Sequence, residues 1–432
     1  MKNLMKKLVQ FDKKLGLGSA VAISVGAVIG VGIFVIVGPI AEKSGAFAPL
    51  AFALASLPAL FGTLVAVALG SSIPTDAAGF YYAKNLLGRT AGVCTSVLVI
   101  MGAMGALASV SVGVADYLRM YFPSLSRPLV VVILIWLSWL VNYFGLMTST
   151  RFQVVMVLQL VSGLLLIIFA GLFGGAKPDF SQSLPYGTAG FLEASAIAMM
   201  VYTGFNIIAE LGDEVSHPKR NIPLTIIFSM MIIIFVYVAV GWVVSGSLSL
   251  AELKESKVAL LDSALKYLPS WTAHYINLAA LSGAITSINA VFIAAPRELY
   301  ALSEEGILPR WFKKYDQRRQ SFPNGIILVA VLGSAMAILN LNPDTWGLVC
   351  VCGLLLSGAV LAVGSVRLFS LFPEEVKRAH FTLRKSWVYP SAIISAILSL
   401  AFGIMCIVFY PPILYGLIPL LAGAVYLSLR RS

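Results

Sequence analysis

The stretch Gly26-Ala-Val-Ile-Gly30-Val-Gly32-Ile-Phe34 places three glycines in the middle of the first long apolar segment of the chain. A later apolar segment is interrupted in a similar way and reads Tyr202-Thr-Gly204-Phe-Asn206-Ile-Ile-Ala-Glu210-Leu-Gly212. Paired glycine-interrupted segments are the sequence pattern typical of discontinuous membrane helices that surround a ligand site. The two stretches therefore predict two such helices.

The rest of the chain requires a bilayer as its solvent. Of its 432 residues, 59% are hydrophobic and only 11% charged, which leaves too little polar surface for a soluble fold. Apolar windows of about 20 residues, the length that crosses a bilayer, recur along the chain. They predict twelve helical spans at approximately 17–38, 46–70, 91–120, 127–147, 152–174, 188–212, 222–246, 270–302, 323–341, 345–371, 387–409 and 411–430.

The net charge of +11 is explained by the placement of the basic residues. If the N-terminus is cytoplasmic, most Lys and Arg residues fall in cytoplasmic segments, as the positive-inside rule requires. This predicts a multi-pass protein of the cell membrane with both termini cytoplasmic. The basic loops are then explained by topology and contact with anionic lipid, and no nucleic-acid binding is predicted.

Neither a metal site nor an enzyme is predicted. The four cysteines lie in apolar spans and the three histidines are scattered over different segments, so no disulfide framework or metal cluster is indicated. No nucleophile–base pair or phosphate-binding loop stands out. No cofactor is expected.

The two interrupted spans are the first and the sixth, which is the spacing of corresponding helices in two five-helix inverted repeats. We therefore predict one all-helical membrane domain over 1–432, with a first repeat in 1–174, a second in 188–371 and two further helices in 387–430. An unwound stretch frees backbone N–H and C=O groups that a zwitterionic ligand would satisfy. The alternative is that Gly26 and Gly30 only form a small-residue packing face.

Five motifs in order along the chain carry a family resemblance. They are Gly30-Val-Gly32-Ile-Phe34, Asp76-Ala-Ala-Gly79-Phe-Tyr81-Tyr82, Tyr202-Thr-Gly204-Phe205, Gly212-Asp213-Glu214-Val215-Ser-His-Pro218-Lys219-Arg220-Asn-Ile-Pro223 and Arg297-Glu298-Leu-Tyr300-Ala-Leu-Ser-Glu-Glu305-Gly306-Ile-Leu-Pro309. Through them nearly the whole chain resembles the amino acid–polyamine–organocation superfamily of transporters.

The resemblance implies how a substrate would be held. The backbone N–H groups of Val31 and Gly32 would bind its carboxylate. The carbonyls of Val28, Met200 and Thr203 would bind its amine.

The resemblance also assigns the surrounding pocket. Gly30 and Gly204 lie within the two glycine elements, and Phe205 matches the aromatic gate, with ordinary core packing as the alternative. Val291 stands where related exchangers for cationic substrates have a tryptophan, which favours a small or apolar substrate side chain. Asn206 is neutral where cation-selective relatives often have an acid.

The sequence departs from the family in the fifth helix, where many members have a lysine. The matching position here is Leu160, with Gln159 next to it, so proton coupling through a lysine is not expected. Glu210 is one substitute, because burial raises a carboxyl pKa into the range where it exchanges protons. Its alternative is a carboxylate already in the water-filled cytoplasmic vestibule.

Two further polar groups have predicted roles. The hydroxyls of Thr286 and Ser287 are weak candidates as sodium ligands, and the alternative is that they bond across helices or to their own backbone. Asp213, Glu214 and Arg220 are predicted to form a cytoplasmic ion-pair latch, or else to be solvated loop charges.

These predictions describe a secondary transporter that works by alternating access. The expected substrate is a small or apolar neutral amino acid, moved by proton-coupled symport or by exchange, with sodium less favoured. A carrier of polyamines or other organic amines and an ion channel are the alternatives. The pattern predicts no particular oligomeric state.

Overall fold

The computed structural model describes residues 15–430 apart from 31, 122–123, 181–183, 203–214, 257, 340, 342 and 380–382.

The first predicted span is divided into two helices. Helix α1 runs over Leu17–Val28 and α2 over Gly32–Ser44. Ile29 departs from helical geometry, with a ψ of 87°, and the N–H of Gly30 donates to the carbonyl of Val28 at 3.0 Å. The helix therefore breaks at residues 29–30, inside the quoted glycine stretch.

The described chain continues as a series of helices. They are α3 (Ala48–Ser72), α4 (Ala78–Leu87), α5 (Arg89–Tyr121), α6 (Arg127–Tyr143), α7 (Leu146–Gly174), α8 (Gly187–Met199), α9 (Pro218–Ser247), α10 (Leu250–Glu255), α11 (Ala259–Leu265), α12 (Thr272–Glu304), α13 (Pro323–Ile338), α14 (Pro343–Ser365), α15 (Leu368–Leu371), α16 (Pro373–Lys377), α17 (Lys385–Phe409) and α18 (Ile413–Arg430). Turns of 3₁₀-helix occupy Gly45–Phe47, Met200–Tyr202 and Arg310–Lys313.

Each predicted span overlaps at least one of these helices, and the fold is all-helical as predicted. Eight helical stretches of the described chain are long and apolar enough to cross a membrane. They are Ile36–Ser72, Arg89–Ala115, Ser149–Gly174, Pro218–Ser247, Thr272–Glu304, Thr345–Ser365, Lys385–Val408 and Ile413–Arg430. Shorter apolar helices cover Leu17–Val28, Arg127–Tyr143 and Pro323–Met336. Twelve crossings and an inverted repeat remain predictions.

The first and second spans are joined more tightly than the sequence suggested. The predicted gap between them is helical, because α2 continues to Ser44 and the turn Gly45–Phe47 leads directly into α3. Pro39 lies within α2 without ending it.

Helix α12 lies at the centre of the bundle and α18 at its edge. In the apolar window of α12, 83% of the residues are buried, against 22% for α18. Helix α12 packs against α1, α5, α6, α7 and α13. Its position explains why its sequence is rich in small residues, since these let neighbouring backbones come close.

Glycines let α5 and α14 pack closely. A Cβ on Gly353 of α14 would lie 2.6 Å from the carbonyl oxygen of Leu98 and 2.7 Å from the amide nitrogen of Gly102, both on α5. Only glycine leaves room for backbones at this distance, a form of packing typical of membrane helices. Large apolar side chains such as Leu158 and Val408 are exposed on the outer faces of the bundle, which suits contact with lipid.

Candidate functional site

The break in the first span frees backbone carbonyls at the end of α1, and among the described residues the carbonyls of Gly26 and Val28 have partners on other helices. In a continuous helix the carbonyl of Gly26 would accept from the N–H of Gly30. That N–H instead donates to Val28. The hydroxyl of Ser287 in α12 donates to the Gly26 carbonyl at 3.3 Å, and the hydroxyl of Tyr237 in α9 reaches the Val28 carbonyl at 3.2 Å.

Tyr237 connects the break to the end of α8. Its hydroxyl oxygen also lies 3.2 Å from the carbonyl oxygen of Val201, in the 3₁₀ turn that follows α8. The side chain is fully buried. A hydroxyl has one proton to donate, so the two carbonyls share a single donor. Both interrupted segments therefore present a carbonyl oxygen to the same point.

Tyr202 fixes the orientation of Tyr237. The two rings meet edge to face with centroids 5.2 Å apart, and the Tyr202 hydroxyl donates to the carbonyl of Phe52 in α3 at 3.0 Å. The sequence reasoning did not identify Tyr237. The available signal was a tyrosine in the middle of the apolar α9, because a buried tyrosine hydroxyl usually requires a partner.

The three glycines of the first stretch are close to neighbouring helices. A Cβ on Gly26 would lie 2.5 Å from Cγ2 of Val157 and 2.6 Å from Nε2 of Gln153, both on α7. A Cβ on Gly30 would overlap the Ser287 hydroxyl, and one on Gly32 would lie 3.1 Å from Val201. The glycines therefore allow close packing of α1 and α2 against neighbouring helices as well as the break. The predicted discontinuous helix and the alternative of a small-residue packing face both apply to this stretch.

Several predicted site residues have described positions. Val28, Gly30 and Gly32 flank the break, and Val28 is buried. Val291 is buried on α12, one turn beyond Ser287, and packs in the apolar cluster formed with α5, α6 and α13. Met200 begins the 3₁₀ turn after α8.

Other predicted residues lie outside the described residues: Val31, Thr203, Gly204, Phe205, Asn206, Glu210, Asp213 and Glu214. Arg220, the third member of the predicted latch, lies in the first turn of α9 and is exposed.

Leu160 occupies the place of the missing lysine. It is fully buried, and its Cδ1 atom lies 3.0 Å from the position a Cβ would have on Gly283 of α12. Gln159 is half-buried, and within the described part of the chain its Nε2 atom has no hydrogen-bond partner.

Thr286 bonds to the backbone of its own helix, and Ser287 bonds across to another helix. The Thr286 hydroxyl donates to the carbonyl of Gly283 in its own helix at 2.7 Å, whereas Ser287 bonds across to Gly26. Two hydroxyls and two carbonyls are thus linked in pairs where α12 meets α1. Such oxygens are the ligand type that an alkali cation would use. Among the described residues no group of His, Cys, Asp or Glu could hold a metal ion.

The described segments around the break carry no charged side chain. The segments 17–41, 221–251 and 275–296, which form the surroundings of the break, contain no Asp, Glu, Lys or Arg. Outside these segments, Lys43 pairs with Glu193 at 2.9 Å, joining α2 to α8. The buried carboxylate of Glu298 accepts from the N–H of Phe80 at 3.3 Å, near the start of α4.

An apolar helical bundle with a broken membrane helix, whose described surroundings carry no charge, is typical of one class of protein: the multi-pass membrane transporters. The chain belongs to the amino acid permease family, whose sequence model matches residues 15–416. This confirms the resemblance found in the sequence.

The relatives include transporters with different named substrates. The chain is 28% identical to a methylthioribose transporter of Bacillus subtilis, over 77% of this chain and 76% of that protein. It is 26% identical to a branched-chain amino acid permease of the same organism, over 74% and 72%. It is also 26% identical to a mitochondrial cationic amino acid transporter of Arabidopsis thaliana, over 85% and 64%.

Proposed function

We propose that the protein is a secondary transporter that carries small or apolar neutral amino acids by alternating access. The observation that carries this proposal is the convergence of the Val28 and Val201 carbonyls on the single hydroxyl of Tyr237, each at 3.2 Å. Each carbonyl oxygen has two lone pairs, and the described donors to this pair are the Tyr237 hydroxyl and the N–H of Gly30, which leaves capacity for a cationic donor. The α-ammonium group of an amino acid is a donor of that kind.

The carboxylate end of the substrate is accommodated by the start of α2. The first N–H groups of a helix have no acceptor within it and carry partial positive charge, so they favour an anion. Helix α2 begins at Gly32. Binding by the N–H groups of Val31 and Gly32 would therefore place the zwitterion across the break, with its ammonium toward Val28.

The uncharged surroundings support a substrate without a second charge. A polyamine or a cationic side chain desolvated at this depth would require a carboxylate partner. The described segments around the break supply none, and Asn206 is neutral. Similarity to a branched-chain permease agrees with this choice, while similarity to a cationic transporter and a methylthioribose transporter keeps the organic-amine alternative as the runner-up.

Coupling is proposed to be proton symport through Glu210, or obligatory exchange. The Thr286 and Ser287 hydroxyls, with the Gly26 and Gly283 carbonyls, support sodium as the second choice. We further propose twelve crossings arranged as two five-helix inverted repeats plus two helices, a cell-membrane location and cytoplasmic termini. An ion channel is disfavoured because the described residues around the break form no ring of equivalent groups.

Transport into proteoliposomes tests the proposal. Labelled neutral, cationic and acidic amino acids and a polyamine are supplied to empty or preloaded vesicles, with a proton gradient, a sodium gradient or neither. Accumulation of neutral amino acids in empty vesicles under the proton gradient alone supports symport, and Glu210→Gln should then abolish it. Uptake only into preloaded vesicles means exchange. Preference for the polyamine, or flux that neither saturates nor shows counterflow, contradicts the proposal.

A further inference from the structure

A buried polar network joins α6, α7 and α12 close to the break. The amide of Asn142 donates to Oδ1 of Asn289 at 2.6 Å, and the hydroxyl of Ser149 lies 3.0 Å from the side-chain oxygens of both. Asn289 in turn donates to Oε1 of Gln153 at 2.8 Å. All four side chains are buried.

The network ends beside α1, against which Gln153 packs. Nε2 of Gln153 donates to the backbone carbonyl of Thr286 at 3.2 Å and lies 2.6 Å from where a Cβ would be on Gly26. Gln153 therefore occupies the junction of α1, α7 and α12. The next residue of α12, Ser287, bonds the Gly26 carbonyl, so the same turn of α1 is contacted from both neighbouring helices.

Hydrogen bonds at both ends of the Gln153 amide fix the orientation of its side chain. Its oxygen is occupied by Asn289 and its nitrogen by the Thr286 carbonyl, and Asn289 is itself fixed by bonds from α6 and to α7. A buried amide with satisfied partners has a defined rotamer, because each lost bond leaves an uncompensated polar group. The surface that α1 meets at Gly26 therefore includes one amide held in a defined place, beside the apolar side chain of Val157.

We propose that Gln153, oriented by Asn289, is a positioning residue that seats α1 against α7 and α12 and so sets the balance between the closed state and the state in which α1 has moved away. This rests on the proposed alternating-access function, in which the half-helix before the break leaves its neighbours when the site opens. The Gln153 bonds join α7 to α12, so their loss loosens the surface against which Gly26 of α1 packs and favours departure of α1.

The test measures the exposure of α1 without requiring transport. Cys94, Cys350, Cys352 and Cys406 are replaced by serine or alanine, and Ser24→Cys places a thiol on α1 at a position that is fully buried in this structure. The purified protein in lipid nanodiscs is treated with a polar maleimide, and the labelling rate is recorded.

Four variants are compared on this background. Gln153→Ala removes the amide and its volume, while Gln153→Met retains the volume and removes only the hydrogen bonds. Asn289→Ala removes the group that orients Gln153. Asn324→Ala is the matched control, because its amide donates to the carbonyl of Trp311 at 2.6 Å, away from α1.

We expect Gln153→Ala and Gln153→Met to label about three- to ten-fold faster, the population shift for loss of a buried hydrogen bond. Asn289→Ala should act in the same direction, and combined with Gln153→Met should add little, because both act through one contact. Asn324→Ala should remain within about two-fold of the parent.

Unchanged labelling in Gln153→Met with the thermal midpoint retained would overturn the proposal. Equal acceleration in Asn324→Ala would also overturn it, because the effect would then be general loosening. If the parent protein transports no amino acid while the labelling pattern holds, the proposed function fails and the seating of α1 by Gln153 stands.

Discussion

Removing the Tyr237 hydroxyl is the most informative single change at the break. In Tyr237→Phe the ring keeps its edge-to-face contact with Tyr202, and only the donor shared by the Val28 and Val201 carbonyls is lost. The Val28 carbonyl keeps the N–H of Gly30 as a partner at 3.0 Å. One buried acceptor is therefore weakened and one loses this donor, which predicts a stability loss of about 1–2 kcal/mol.

The effect on transport follows from the same geometry. Without the shared donor the two carbonyls are no longer held toward one point, and the substrate ammonium must order them on binding. We expect KM to rise about five-fold, which corresponds to about 1 kcal/mol of lost preorganisation. The measurement is initial uptake rate against substrate concentration in proteoliposomes, beside thermal unfolding of the purified protein.

Tyr275→Phe is the matched control. Its hydroxyl lies 2.7 Å from that of Ser162 on α7, so the substitution also removes one partly buried hydrogen bond, but away from the break. It should lower stability without changing KM. If Tyr237→Phe leaves KM unchanged, or if the control raises it equally, the assignment of the two carbonyls to the substrate is wrong.

Three further predictions concern packing, a buried acid and pH. Gly26→Ala should lower the free energy of unfolding by about 1–3 kcal/mol and sharply reduce transport, because the new Cβ would lie 2.6 Å from Nε2 of Gln153. Uptake at the wild-type rate would contradict this. Glu298→Ala should lower the free energy of unfolding by about 1–3 kcal/mol, because the N–H of Phe80 in α4 loses this acceptor. Glu298→Gln keeps an acceptor oxygen and should retain most of the stability. Equal losses in the two variants would refute the role of the acceptor. Hydrogen bonds from Lys266 and from Ser249, the cap of α10, lower the pKa of Glu252 to about 2. The contribution of the Glu252 carboxylate to α10 is therefore complete above about pH 4.5 and is lost as the pH falls through about 2. Hydrogen exchange of the α10 amides that is already fast at about pH 4 would contradict this.

The sequence predicted the apolar helices and the first break because both are local properties. Apolar length determines where a helix crosses, and the glycines between Gly26 and Gly32 are directly visible. The structure differs at the connection to α3, where helix continues across the expected gap, because polar residues near a membrane surface do not by themselves end a helix.

The partners of the break could not be predicted from the sequence. Tyr237 and Ser287 are separated from Val28 and Gly26 by about half the chain, and their contacts depend on how α9 and α12 pack around α1. Periodicity reports which face of a helix is apolar, but not which side chain on a distant helix meets a given carbonyl. For the same reason the sequence pattern points to Gln159 and Leu160 but not to Gln153, about two turns earlier in α7.

Recognition of the α-amino and α-carboxyl groups by the break in the first span and the turn after α8 is the central claim, and analogue competition tests it most directly. Counterflow of a labelled neutral amino acid that the protein transports is measured in proteoliposomes against an excess of four competitors: the unlabelled amino acid, its N-acetyl derivative, its carboxamide and a diamine of similar length. The account predicts strong inhibition by the amino acid and at least ten-fold weaker inhibition by the other three, since each lacks one of the two charged groups. Inhibition by the N-acetyl derivative or the diamine as strong as by the amino acid itself would contradict the account.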